Sequence, residues 1–534
     1  MGSGRMRPGG QCIAVAVAAG LGLLALAGAP SEAYALKGRV SQSHRLFLQY
    51  LPQALQASAV RHPWVITQDG LHRREYQLHL RAHIKARPYD ALGVRLGLDS
   101  GLLSLSSQGA HIDGRSMHDA VAETGLLGRT HAEWQLGTAG FLMVRAGKLR
   151  PAVASGALYD AYALGVMVDA DLSYLEALPD IFFRAHVLLP DATFTDRLKR
   201  SPLLSFEAGW TGRGRTKVAL LGAAMFDNDS ALEPLFADAV ARDTLLRVAS
   251  ALDERTAAIA QPRLQSQAQR LRDQVVQGLV SRYNEGDRIM QQTTSGVVGW
   301  LGVMGQWQQG PLWLQGRALL GMGQISSNVQ AAEQVQFFLQ DRLNQLPDQG
   351  QALLDALDTQ GEVPMLGYFL SVDADYEVLP DLSVQAFGVL VSGDDRLSVN
   401  SQDTYSAFVS VAPLLPYTSI FFRGAAATRL SSPTTASLAP DAAGILAGGI
   451  GLTAWLDELR VRAVAAALGS QVRSAFADGR YYGSEVNLGL SGQLCAFVML
   501  SADFAVFVPG PYFGQGVPVA VQGFGTVTAH FPEL

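Results

Sequence analysis

Cysteine is nearly absent from this chain of 534 residues, which contains only two. Cys12 lies in an apolar leader, so a processed chain keeps Cys495 alone. One thiol closes no internal disulfide and forms no zinc cluster. Charge is scarce as well. Asp, Glu, Lys and Arg make up 16% of the residues, below the roughly 25% of soluble domains. The formal net charge is -6, which argues against a nucleic-acid partner. Evenly spaced apolar runs of about 20 residues are missing too, and a bundle of membrane helices needs them. No GxSxG, HExxH or glycine-rich phosphate loop stands at a strand-helix junction. CxxCH haem attachment is impossible with these cysteines. The chain therefore reads as a non-enzyme without cofactor or metal.

One long apolar run is present. Arg5 and Arg7 precede Ile13 to Leu26, and Ala33-Tyr34-Ala35 has the small-x-small form of a cleavage site. Residues 1–35 read as a secretory signal peptide. Residues 36–72 read as a periplasmic lead.

The dominant feature of the rest is alternation. From Arg74 the chain runs REYQLHLRAHIKARPYDALGVRLGLDS. Tyr76, Leu78, Leu80, Ala82, Ile84 and Ala86 form one register, and His79, Arg81, His83, Lys85 and Arg87 belong to the other. Period two means strand, and this run is more than twice the usual length of about five or six residues. Similar runs recur to Phe531. They predict an all-β, transmembrane antiparallel β-barrel of about eighteen strands over residues 73–531. Glu133 to Lys148 is read as one strand, and Tyr405 to Val411 and Thr418 to Ala427 as two more. Lipid outside and polar groups inside are the signature of such a barrel. Closure leaves no unpaired backbone edge in hydrocarbon. Connections alternate between short and long, with an exception near Leu105 to Ala132, and this pattern puts both termini in the periplasm. Apolar residues spaced by three and four predict two helical loop inserts, at 229–292 and 327–360.

The polar register gives the candidate site. Arg81, His83, Lys85, Arg87 and Arg95 fall on one expected lumenal wall, with Arg145, Arg184 and Arg317 on later strands. His79 and His83, four apart on a strand, lie about 13 Å apart and do not chelate one metal. Such a wall takes either lumenal counter-charges, with Glu75, Glu207, Asp373, Asp375 and Glu485 as candidates, or an anionic ligand. Rows of Arg and Lys favour anions.

Met143-Val144-Arg145-Ala146-Gly147-Lys148 is followed by Gly156-Ala157-Leu158-Tyr159-Asp160. Near the end come Tyr482-Gly483-Ser484-Glu485-Val486-Asn487-Leu488 and Ala505-Val506-Phe507-Val508-Pro509-Gly510-Pro511-Tyr512-Phe513. These stretches resemble the alginate-export type of outer-membrane barrel, with its penultimate hairpin and closing aromatic-PG element. They are also similar to exopolysaccharide-secretion barrels of gliding bacteria. The resemblance implies an anionic polysaccharide as cargo, outer-membrane lipid as surroundings, a Gram-negative cell, and a periplasmic polysaccharide-export protein as partner. The alternatives are a general or anion-selective porin and a structural component of a motility or secretion complex.

Overall fold

The structure is a computed structural model. It describes residues 40–55, 72–89, 92–106, 109–112, 115–116, 130–136, 141–161, 163–172, 180–190, 201–212, 216–226, 266, 270, 290–331, 359–394, 404–422, 438–439, 442–473, 479–495, 498–513 and 519–531. For 40–55, 72–116, 130, 290–294, 327–331, 359–361, 494–498 and 522–531 the description covers the backbone only.

Eighteen strands pair edge to edge into a closed ring. They are β1 (Val40–Leu55), β2 (His72–Tyr89), β3 (Leu92–Ser106), β4 (Thr130–Leu136), β5 (Leu142–Leu149) and β6 (Ala163–Asp171). Next come β7 (Ile181–Pro190), β8 (Leu203–Gly212), β9 (Thr216–Phe226), β10 (Met290–Gln309), β11 (Leu312–Ala331) and β12 (Thr359–Leu379). The last are β13 (Leu382–Val391), β14 (Ile445–Leu456), β15 (Leu459–Gly469), β16 (Tyr481–Cys495), β17 (Val498–Pro509) and β18 (Ala520–Phe531). Every seam is antiparallel, and all but the one that pairs β1 with β18 join sequence neighbours. A small hairpin, Gly109–Ile112 with Arg115–Ser116, extends from β3.

The expected architecture needs correction. The members of the ring differ from those expected, although their number agrees. Residues 36–72, read as a lead, contain β1. Glu133 to Lys148 is two strands, β4 and β5. Tyr405 to Val411 forms only an isolated bridge outside the ring, and the described part of Thr418 to Ala427 is irregular. Among the described residues neither helical insert is found. Among the described residues the helical elements with bounds are two three-residue 3-10 turns, Ala154–Gly156 and Pro511–Phe513. In the first expected insert Ser266 and Arg270 are helical at separate positions that define no element, and 290–292 is strand. In the second, 327–331 and 359–360 are strand. The remainder of both inserts lies outside the described residues, as does the signal peptide. Apolar spacing of three and four is ambiguous beside strands of 20 and 21 residues.

The corrected ring also removes the exception in the loop pattern. Short links at 90–91, 137–141, 172–180, 213–215, 310–311, 380–381, 457–458 and 496–497 now alternate strictly with longer ones, 392–444 among them. β1 begins and β18 ends on the short-link side.

Alternation sorts the side chains. On β8, Leu203, Ser205 and Glu207 are buried while Leu204, Phe206 and Trp210 are exposed. On β12, Val363, Phe369 and Ser371 are buried while Leu366, Leu370, Val372 and Tyr376 are exposed. Exposed apolar side chains circle the described wall, up to Ile450 at 67%. Water penalises such a belt and hydrocarbon does not. Trp134, Trp210, Trp307 and Tyr376 face outward near the short links. Toward the other side Ser295, Gln324 and Glu362 take over the outward register, and Gln324 donates to Glu362 (2.6 Å). Between Trp307 and Val297 the strand climbs about 25 Å at a tilt of roughly 40°, which equals the apolar band of outer-membrane barrels.

Candidate functional site

The inner wall near the short links carries a row of ionisable residues, one from each of six successive strands. Glu133 on β4 sits opposite Arg145 on β5 and accepts from its Nε at 3.0 Å. Arg145 reaches Asp169 on β6 at 3.9 Å. Asp169 faces Arg184 on β7 at 3.2 Å. Arg184 faces Glu207 on β8 at 3.7 Å. Lys217 on β9 closes the row, 3.8 Å from Glu207. The signs alternate throughout, so three cations meet three anions. Lys217 and Arg184 also lie over the inward Phe182 ring, 4.2 and 5.5 Å from its centre. One inward position above Arg184, buried His186 holds Ser205 through Nδ1 (2.8 Å), and its Nε2 has no partner.

Above this row the interior is filled, because two connections fold into the lumen. One is residues 404–422, from the link between β13 and β14. The other is 150–161, between β5 and β6. Residues 404–422 form a strap from the wall of β10 to β12 across to β16. At the first wall Tyr405 N–H donates to Pro364 O (2.8 Å), and Trp300 Nε1–H donates to Val409 O (2.8 Å). Gly367 makes room for this approach: a Cβ there would lie 2.6 Å from Phe408 Cα. In the middle the strap meets the second segment, where Asp160 N–H donates to Ala412 O (2.8 Å) and Leu414 N–H to Gly156 O (2.9 Å). Arg150 holds that segment through Asp160 (2.9 Å).

Arg317 joins the two segments to the wall. Its Nε donates to Ser371 Oγ (2.8 Å), Nη1 to Ser155 O (3.2 Å), and Nη2 to Asp373 Oδ2 (3.0 Å) and to the Tyr417 hydroxyl. Tyr417 stacks on Phe387, with ring centres 4.4 Å apart. Burial pushes its phenol far above the usual range, so it remains a neutral donor to Asp373 (3.3 Å).

The far end of the strap hangs on Glu485, whose exposure is 0%. Ile420 N–H donates to Oε1 (2.7 Å), while Phe421 N–H (2.8 Å) and Thr418 Oγ1 (2.7 Å) donate to Oε2. Ser419 N–H donates to Asn487 Oδ1 (2.9 Å). An aromatic cluster of Phe421, Tyr482, Phe507, Tyr512 and Phe513 packs beside it. Charge-assisted bonds to backbone donors are among the stronger ones, so this is a firm anchor.

Of the candidate residues, Arg145 and Arg184 meet in the charged row and Arg317 and Asp373 in the hub. Asp375 accepts from Gln385 (2.8 Å). Glu485 serves the strap. Arg81, His83, Lys85 and Arg87 lie on β2 and Arg95 on β3, with Arg81 opposite Asp99 and Lys85 opposite Arg95. Their side chains lie outside the described residues, as does that of Cys495. Glu133, Asp169 and Lys217 were not anticipated as partners. Their signal is cross-strand register, and for Glu133 it appears only once β4 and β5 are separated. Tyr417 and Thr418 carried no signal beyond apolar neighbours. Among the described residues no three or more His, Cys, Asp or Glu converge on a metal-sized site.

No protein-family profile matches the chain, and no curated protein sequence matches it. The stretches that resemble the alginate-export type therefore gain no support from a family match. Several solved structures are similar in course. Pseudomonas aeruginosa OccK8 (OprE) is 11% identical with a TM-score of 0.45, over 93% of this chain and 98% of that one. Pseudomonas aeruginosa OccK9 (OpdG) is 10% identical with a TM-score of 0.45, over 92% and 98%. Pseudomonas aeruginosa OprD is 9% identical with a TM-score of 0.44, over 92% and 95%.

Proposed function

We propose that this protein is a selective channel of the Gram-negative outer membrane that passes small polar solutes. The observation that carries this is one closed wall with opposite faces: an apolar belt of membrane height outside, and inside a charged row beneath a strap that narrows the lumen. A closed barrel is one of the two structures that satisfy all backbone groups in lipid. Charged groups at a constriction act on passing solutes through field and hydrogen bonding.

Export of an anionic polysaccharide is the less supported reading. A polymer strand needs a continuous track, and here the strap is bonded to the wall at two places six strands apart, Trp300 and Glu485. Arg145, Arg184 and Arg317 are each paired with a carboxylate, which removes much of the pull of a basic wall. A diffusion channel also needs no periplasmic export partner.

The test is planar-bilayer conductance with the refolded protein, beside liposome swelling in sugars of rising size. Discrete conductance steps and a size limit near that of a disaccharide are the expected results. Absence of conductance in every salt and voltage, with a folded barrel, would refute the channel. Free passage of long dextrans would restore the polymer reading.

A further inference from the structure

The six-membered charged row has a property that a basic wall lacks. It is neutral as a set, yet every member faces the lumen side of its strand. Two contacts are close, Glu133–Arg145 at 3.0 Å and Asp169–Arg184 at 3.2 Å. Three are loose, at 3.9, 3.7 and 3.8 Å. Arg145, Arg184 and Lys217 are about a third or more exposed. A simple anion that pairs with Arg184 takes it from Asp169 or Glu207, and that carboxylate then has one cation fewer. A simple cation at Asp169 strips Arg145 and Arg184 in the same way. Half-broken pairs in a confined site are costly. A solute that carries both charges a few ångströms apart avoids this cost. Its ammonium takes the carboxylate and its carboxylate takes the guanidinium, so no wall charge is orphaned. Next to the row stands a second feature that asks for a ligand. His186 is 6% exposed, and its Nε2 has no partner. Buried polar atoms are nearly always satisfied.

Building on the channel reading, we infer that the row from Glu133 to Lys217 is a binding track for small zwitterions with adjacent ammonium and carboxylate groups, the chemistry of free α-amino acids. Arg184 receives the carboxylate, Asp169 or Glu207 the ammonium, and the unpartnered Nε2 of His186 adds a hydrogen bond. The row runs around the wall from strand to strand, so each adjacent carboxylate and cation offers a passing solute one weak site, and the set supplies several weak sites rather than one tight one.

Three solutes of similar size separate the possibilities: alanine, lactate and isopropylammonium. In proteoliposomes, alanine is expected to enter at least fivefold faster than either singly charged analogue. Two double variants shift the balance in opposite directions. D169N/E207Q leaves the row net positive, so lactate overtakes alanine. R145Q/R184Q leaves it net negative, so isopropylammonium does. Heat-modifiable gel mobility controls for folding, and K217Q, at the open end of the row, serves if a double variant does not fold. Wild type that favours lactate, or alanine entry that survives in both double variants, overturns the zwitterion track. Entry of none of the three, without conductance, overturns the channel instead. Alanine titrated calorimetrically into the detergent-folded barrel then decides the track by itself: binding lost in R145Q/R184Q supports it, and no binding by wild type removes it.

Discussion

Replacement of Glu485 by glutamine tests how the strap is held. The carboxylate accepts from Ile420 N–H, Phe421 N–H and the Thr418 hydroxyl, with both oxygens in use. Glutamine keeps one oxygen and puts an NH2 group where the other stood. At least one backbone N–H then faces a donor. An unsatisfied buried donor costs about 1–3 kcal/mol, and loss of the charge weakens the bonds that remain. The far end of the strap is therefore expected to lose about 2–4 kcal/mol of attachment, a factor of roughly 30 to 900 in its release. The other end keeps Trp300, Gly367 and the Arg317 hub, so the strap should swing rather than unfold. Single-channel conductance of E485Q should rise at least twofold, with more open-state noise. A thiol introduced by S419C, in a C495S background, should react with an impermeant maleimide at least tenfold faster when E485Q is present. Unchanged labelling and unchanged conductance, with normal heat-modifiable mobility, would falsify the anchor.

Other expectations follow from the same geometry. Leu301→Arg, at the middle of the outward belt, should destabilise the barrel by about 2–4 kcal/mol in urea titrations from lipid vesicles, whereas arginine in place of Trp307 at the rim should cost about 0–1; equal costs would remove the belt assignment. Arg317→Met leaves Asp373 buried without its cation and should cost about 3–5 kcal/mol, part of which the added change Asp373→Asn restores; no recovery in the double variant would refute their coupling. Gly367→Val should push Phe408 from the wall and raise conductance without loss of the barrel, and an unchanged channel would show that this approach does not position the strap. A protease site inserted into 227–289 should be cut in intact cells while a tag beyond Phe531 stays protected, and the reverse pattern would invert the barrel.

The parts of the fold legible in the sequence are those where one physical cause acts alone. On β12, lipid on one side and a polar lumen on the other put Leu366, Leu370, Val372 and Tyr376 out and Ser371 and Asp373 in, and the alternation says so directly. The same cause misleads where the lumen itself is apolar. Tyr405 to Val411 is as rich in apolar residues as a strand, yet it is buried because it fills the barrel. β1 was missed because Pro52 and its polar neighbours blur the period. Which face of the strand Arg145 and Arg184 occupy depends only on parity. Their partners depend on register between strands far apart in the chain, and parity is silent about that. Glu485 shows the limit most plainly: a carboxylate opposite apolar neighbours reads as counter-charge for a base, and only the fold supplies the backbone donors that it holds.

The single seam between β1 and β18 has a consequence for assembly. Every other pairing joins neighbours in the chain and can form hairpin by hairpin, with modest loop-closure entropy. The final pairing, from His44 with Phe531 to Ala54 with Gln522, joins residues almost a full chain apart. Its large sequence separation makes it the expected slow, late event. The strap and the 150–161 segment lie inside the ring, so they must be in place before that seam zips or thread through the mouth afterwards. An open-sided intermediate would let them dock from the side, with Trp300 and Glu485 ready on the wall. Closure then locks in whatever the sheet has already curled around, so the contents of the lumen can be a record of folding order as much as of equilibrium.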